Sequence, residues 1–142
     1  MKVSARNMLS GKVSGIKAGA VNSEIRLTLS SSHDIVAVIT NESVEHLGLK
    51  NGSEAYAIIK APLVILAKGK PEFKFSTRNI FEGIVKEINI GAVNAEVGLE
   101  LANGVVLHSV ITKSSVDGLG LNVGDSATAL FKASNVILAV RA

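Results

Sequence analysis

Displaced by 72 positions, the chain aligns with itself: Ser4 to Ala67 falls on Ser76 to Ala139 without a gap, and about 30 of the 64 pairs are identical. A self-match of that length does not arise by chance, so whatever fold the first copy adopts, the second adopts again. The strongest blocks are Ser4-x-Arg6-Asn7 with Ser76-x-Arg78-Asn79, and Gly19-Ala20-Val21-Asn22-x-Glu24 with Gly91-Ala92-Val93-Asn94-x-Glu96. Val38-Ile39-Thr40, Ser43-Val44, Leu47-Gly48-Leu49 and Lys60-Ala61 recur as Val110-Ile111-Thr112, Ser115-Val116, Leu119-Gly120-Leu121 and Lys132-Ala133. The stretch between the copies is polar and carries Pro71, one of only two prolines, so it reads as a linker. The expected organisation is a domain at 1–68, a linker at 69–75 and a second domain at 76–142.

Within each copy the apolar residues recur at every second position. Glu24, Arg26 and Thr28 alternate with Ile25, Leu27 and Leu29, the pattern of a strand with one buried face. Residues 9–16, 34–40, 53–60 and 63–67 are similarly short and rich in β-branched or small side chains, which makes about five strands per copy. Between the third and fourth, Ser43 is placed to cap a helical turn, and Gly48 followed by Leu49 suits a left-handed C-terminal stop. Asn51-Gly52 then supplies a turn. The fold class expected is all-β: two tandem OB-like five-stranded barrels, each with a short helical turn.

Composition narrows the function classes. Apolar residues make up 47% of the chain and mean hydropathy is +0.38, yet no run approaches the roughly 18 apolar residues of a membrane span. No apolar stretch follows the basic residues near the start, so no secretory signal is expected. With no cysteine, disulfides and thiolate metal sites are excluded, and a cytoplasmic location is the default. The net charge of +3 is spread singly along the chain, too mild to demand a polyanion partner. A barrel this small buries only roughly 60% of its unfolded surface, so a homo-oligomer is expected.

No catalytic constellation stands out. The three histidines, His33, His46 and His108, face Val105, Gly118 and Val36 in the other copy, and no HExxH, CxxC or GxSxG motif occurs. What the copies share is a set of anion donors: Ser4, Arg6, Thr40 and Lys60, echoed by Ser76, Arg78, Thr112 and Lys132. Arg offers a planar fork, Lys a point charge and the hydroxyls neutral donors, which together suit a tetrahedral dianion held without a metal. Neighbouring surface positions have drifted between the copies (Lys17/Asn89, Ser31/Asn103, Lys50/Asn122) while these have not. The Gly19 and Gly91 segments are tight turns whose backbone N–H groups could also form an anion nest.

These blocks, in combination and over nearly the whole chain outside the linker, resemble the Mop domain of molbindins, here in tandem. The resemblance implies an OB-fold, no enzymatic activity, no cofactor, and a cytoplasmic protein that binds molybdate or tungstate for storage or homeostasis. It further implies that three chains assemble six Mop domains, with anions held where neighbouring domains meet. The implied main site comprises Ser4, Arg6, Thr40, Lys60 and Ala61, and again Ser76, Arg78, Thr112, Lys132, Ala133 and Ser134. Where the second copy has Ser134, the first has Pro62, which lacks both hydroxyl and N–H, so the first site is expected to be weaker or built differently. A second class of site is implied at Gly19, Ala20, Val21, Asn22 and Ser23 and at Gly91, Ala92, Val93, Asn94 and Ala95.

Two other readings compete. A nucleic-acid-binding OB module needs aromatic stacking platforms along a basic groove. Aromatics are only 4% of the chain, and Tyr56 faces Thr128 in the other copy while Phe131 faces Ile59. No nucleic-acid or membrane partner is therefore expected. The chain could also be the sensory half of a regulator whose DNA-binding part lies elsewhere, since it contains no helix-turn-helix pattern of its own.

Overall fold

The computed structural model describes residues 2–142, and the side chains of all of these except Asn103. The strands are β1 (Asn7–Ala18), β2 (Asn22–Leu29), β3 (Asp34–Thr40), β4 (Glu54–Ile59), β5 (Ile65–Lys68), β6 (Asn79–Ile90), β7 (Asn94–Glu100), β8 (Val106–Thr112), β9 (Ser126–Phe131) and β10 (Ile137–Ala139). Two helices, α1 (Asn41–Leu47) and α2 (Lys113–Leu119), follow the third strand of each copy, as the sequence pattern predicts. Short 3-10 turns occupy Ala61–Leu63, Ala102–Gly104 and Ala133–Asn135.

The strands form two antiparallel five-stranded sheets, ordered β10-β4-β1-β2-β3 and β5-β9-β6-β7-β8. The fifth strand of each sheet therefore comes from the other copy. Accordingly, one compact unit runs to Ile59 and adds Lys132–Ala142, and the other is Lys60–Phe131. The local sequence permits either arrangement, because Val64-Ile65-Leu66-Ala67 and Val136-Ile137-Leu138-Ala139 are identical.

Alternation becomes burial directly. In β2, Ile25 and Leu27 are fully buried while Arg26 between them is exposed, and they pack with Val13, Ile35, Ala37 and Ile59 as the first unit's core. The second unit buries Val85, Val97, Leu99 and Leu107 in the same way, and stacks Phe81 on Phe131 with ring centroids 5.7 Å apart. Two of the few aromatics are thus spent on core packing.

The long first strand of each unit serves two neighbours: β1 pairs with β4 over Asn7–Lys12 and with β2 over Gly11–Ala18. To coil between them it takes a bulge between Val13 and Gly15, and β6 repeats this between Val85 and Glu87. Where the two ladders overlap or adjoin stand Gly11 in one unit and Gly83 in the other, and a Cβ there would stand 2.5 Å from the carbonyl oxygen of Thr28 or Glu100. Glycine is required at both positions because the neighbouring backbone occupies the side-chain space.

Each helix is two turns long, and its cap differs from the expectation. Thr40, not Ser43, is the N-cap: its Oγ1 accepts the Ser43 backbone N–H at 3.0 Å, and Thr112 accepts that of Ser115 at 3.0 Å. The reason is spacing, since an N-cap side chain reaches the amide three residues on, which places Ser43 inside the first turn. The C-terminal stop forms as expected, with Gly48 at φ 63° and Gly120 at φ 62°, each followed by a buried leucine.

Candidate functional site

Ser4 and Arg6 lie on the exposed segment leading into β1, and Ser76 and Arg78 on the segment leading into β6. Arg6 immediately precedes Asn7, which opens the β1–β4 ladder opposite Ile59, and Arg78 precedes Asn79 opposite Phe131. Asn7 and Asn79 are buried polar residues, 1% and 0% exposed, kept in both copies beside the arginines. A buried amide carries both donor and acceptor groups and must satisfy them inside the fold, here at the strand start next to each arginine. The Ser-x-Arg-Asn block carried this signal, but only the burial separates the exposed arginine from the asparagine beside it.

Lys60 and Lys132 are exposed and precede the 3-10 turns. Among the described residues neither ammonium has a carboxylate partner. Ala61 is buried, Ala133 is half-buried and Ser134 is exposed. Strand exchange regroups the candidates: Ser4, Arg6 and Thr40 share a compact unit with Lys132, Ala133 and Ser134, whereas Ser76, Arg78 and Thr112 share one with Lys60, Ala61 and Pro62. The division falls immediately before each lysine, so at the ladder ends Lys60 still adjoins Arg6, one residue beyond the Asn7–Ile59 pair, and Lys132 adjoins Arg78, one residue beyond the Asn79–Phe131 pair.

The regrouping relocates the proline. A groove of about 360 Å³ in the first unit is lined by Thr40, Ser43, His46 and Ser134 over an apolar floor that includes Val38 and Leu47. Its counterpart in the second unit, about 460 Å³, is lined by Pro62, Ser115 and Gly118 over Val110 and Leu119. The hydroxyl missing at Pro62 is therefore missing from the second unit's groove, beside Ser115, and not from the groove that holds Thr40.

Thr40 has a structural duty as well as a candidate one. Its Oγ1 caps α1 and stands 2.8 Å from Ser43 Oγ, with the same arrangement at 2.7 Å between Thr112 and Ser115. Ser43 and Ser115, absent from the candidate set, are thus part of a paired hydroxyl cluster in both units. Thr40→Ala is expected to lower unfolding stability by about 1 kcal/mol through loss of the cap, while Thr40→Ser keeps it. A urea titration of the two variants beside the native chain separates this from any effect on ligand, and equal midpoints for Ala and Ser would remove the capping role.

The second class of candidates forms tight hairpins. Gly19 N–H bonds the Asn22 carbonyl at 2.8 Å, and Gly91 that of Asn94 at 2.8 Å, leaving Val21 and Val93 about 70% exposed at the tips. Both hairpins are tied to a helix start, because the Asn41 N–H donates to the Val21 carbonyl and the Lys113 N–H to that of Val93. Asn22 also pairs with Thr40, and Asn94 with Thr112. The two candidate classes therefore adjoin on each unit. In the first unit alone, Asn41 also donates to the Gly19 carbonyl and accepts from Ser23 Oγ, links that Lys113 and Ala95 do not provide.

The histidines are dispersed. His33 Nδ1 is 2.8 Å from Ser31 Oγ, His46 lines the first groove, and His108 stands 3.3 Å from the Glu96 carboxylate. Among the described residues no group of three or more His, Asp or Glu side chains converges to hold a metal ion, and no helix is long and apolar enough to cross a membrane.

A TOBE domain match covers residues 3–66 and again 76–138, following the repeat. The chain belongs to the TOBE domain family. This tandem TOBE chain is 46% identical over 140 residues to the molybdenum-pterin-binding protein MopA of Rhodobacter capsulatus, covering 99% of the chain and 53% of MopA. It is 44% identical over 140 residues to the molybdenum transport protein ModE of Azotobacter vinelandii, again covering 99% of the chain and 52% of ModE. The tandem TOBE chain thus spans about half the length of these relatives. It superposes on a crystal structure of the cytoplasmic molybdate-binding protein ModG with molybdate bound, at a TM-score of 0.95 and 48% identity, covering 99% of the chain and all of ModG. The two-domain Mop resemblance and the all-β, OB-like fold read from the sequence both agree with these matches.

Proposed function

We propose that this chain is a molybdate-binding protein, which takes up molybdate or tungstate as an intact oxyanion for intracellular storage or buffering and catalyses no reaction. The observation that carries the reading is the donor set of Ser, Arg, Thr and Lys, kept in both copies, with the arginine and lysine of each copy adjoining at the end of one strand ladder. Full-length similarity to a protein solved with molybdate supports the choice of anion. The ligand sites are Ser4, Arg6, Thr40, Lys60 and Ala61, with Ser76, Arg78, Thr112, Lys132, Ala133 and Ser134, drawn together where domains of neighbouring chains meet in a trimer. The hairpins at Gly19–Ser23 and Gly91–Ala95 furnish a second class of site.

The mechanism is passive. Molybdate keeps its charge at neutral pH, so binding needs fixed donors and no proton transfer. Arg and Lys at a partly dry interface make stronger bonds to it than they make in water. Selection against sulfate comes from cavity size, because molybdate is the larger tetrahedron, and selection against phosphate from the lack of an acceptor for its proton. Filling such a site also stabilises the oligomer by linkage.

Equilibrium dialysis followed by elemental analysis tests this. Molybdate is expected to be retained at submicromolar free concentration and not displaced by a large excess of sulfate. Equal retention of the two anions would overturn the reading.

A further inference from the structure

The exchanged strands β5 and β10 carry the same apolar sequence, with Leu66 and Leu138 buried alike, but they are held by different numbers of polar anchors. In the second unit, β5 is fastened along its length. Ser109 Oγ donates to the Val64 carbonyl at 2.6 Å in a buried position, and Thr128 Oγ1 donates to that of Gly69 at 2.7 Å. The Gly69 N–H bonds the Ser126 carbonyl at 2.8 Å. Lys68 Nζ bonds the Gly120 carbonyl at 2.9 Å, at the end of α2, and lies 3.7 Å from the Asp125 carboxylate.

In the first unit the side chains that make the polar ties of β5 are replaced. Ala37 replaces Ser109 and has no hydroxyl, Val140 replaces Lys68 and has no ammonium, and Tyr56 replaces Thr128. Here β10 pairs with β4 through three residues, where β5 pairs with β9 through four. Its side-chain tie is the Arg141 guanidinium, 5.6 Å from the centre of the Tyr56 ring, an exposed cation–π contact. The same segment carries Lys132, Ala133 and Ser134, and Ser134 lines a groove with Thr40 and Ser43.

We propose that Lys132–Ala142 is a strap that closes on the first unit when an anion binds, whereas the segment carrying β5 is a permanent part of the second. An oxyanion held by Ser134 together with Thr40 and Ser43 across their groove supplies the polar anchoring that β10 lacks and β5 has built in. Anion occupancy and strap closure are then linked, since an anion that binds only the closed form shifts the population toward it. This regulation rests on the oxyanion reading of the site.

Amide hydrogen exchange on the full chain, resolved to β5 and β10, tests both halves. Without anion, the β10 amides are expected to exchange roughly tenfold or more faster than those of β5, the difference expected from several missing hydrogen bonds. Saturating sodium molybdate is expected to slow β10 by at least about tenfold and to leave β5 nearly unchanged. Val140→Lys should slow β10 without anion, and Lys68→Val should hasten β5. Equal exchange of the two strands in the anion-free protein overturns the proposal. So does molybdate that is retained on dialysis yet protects β10 no more than β5. If dialysis shows no retained molybdate, the oxyanion reading falls and anion-dependent closure falls with it, while the anion-free comparison still decides whether β10 is the weaker strand.

Discussion

Removing both guanidinium groups, Arg6→Ala with Arg78→Ala, is expected to weaken molybdate retention about 10- to 100-fold at every main site. A hydrogen bond to a charged group contributes about 1.5–3 kcal/mol, and each unit holds one such arginine, so no intact site remains to mask the loss. Both arginines are exposed and stand outside the strands, so the fold should survive, and a urea midpoint close to the native value checks this. Arg→Lys at the same two positions keeps the charge but loses the planar fork. It should restore only part of the affinity if two-point recognition matters. Unchanged dialysis of molybdate by the double alanine variant would remove the arginines from the site.

The largest expected effect on stability is at Gly83. An added methyl group there would meet the Glu100 carbonyl oxygen at 2.5 Å and Leu99 Cγ at 2.9 Å, and the first of these is backbone that cannot rotate away. Gly83→Ala is expected to cost about 2–3 kcal/mol and to lower the melting temperature of the second unit by roughly 10 °C or more. Gly11→Ala, with Thr28 O at 2.5 Å, should do the same to the first unit. Gly48→Ala is a different case, because nothing lies within 4 Å and only its φ of 63° is unfavourable, so its cost should be nearer 1 kcal/mol. Calorimetry on the three variants orders them, and a Gly83→Ala protein as stable as the native chain would contradict the close approach that lets β6 serve two neighbours.

The difference between the grooves bears on how alike the binding sites can be. One groove carries Thr40, Ser43, His46 and Ser134, and the other carries Ser115 with Pro62 and Gly118. A copy-by-copy comparison places the proline with Thr40, but the fold places it in the second unit's groove beside Ser115. Any inequality between sites that stems from Pro62 therefore follows the second unit.

Much of the architecture was legible because it depends on neighbours in sequence. Period-two alternation fixed Ile25, Leu27 and Leu29 on an inner face, and Gly48 ahead of Leu49 marked the helix end, since each signal spans only a few residues. The helix cap was misplaced by one turn, because Thr40 and Ser43 are both plausible caps and only the observed bond from the Ser43 amide chooses between them. The Ser-x-Arg-Asn block does not distinguish its arginine from its asparagine, and only the fold shows Asn7 and Asn79 to be buried.

From the sequence alone came the duplication, the five-strand pattern of each copy and the donor set shared by both, all of which are local or compare like with like. Only the tertiary structure decided which copy supplies the last strand of which sheet, because Val64–Ala67 and Val136–Ala139 are the same four residues and carry no preference of their own. Their surroundings differ: Ser109, Thr128 and Lys68 on one side, Ala37, Tyr56 and Val140 on the other. These residues are distant in sequence from the strands they hold, or act only once the strand is in place, and so become readable only after the chain has folded.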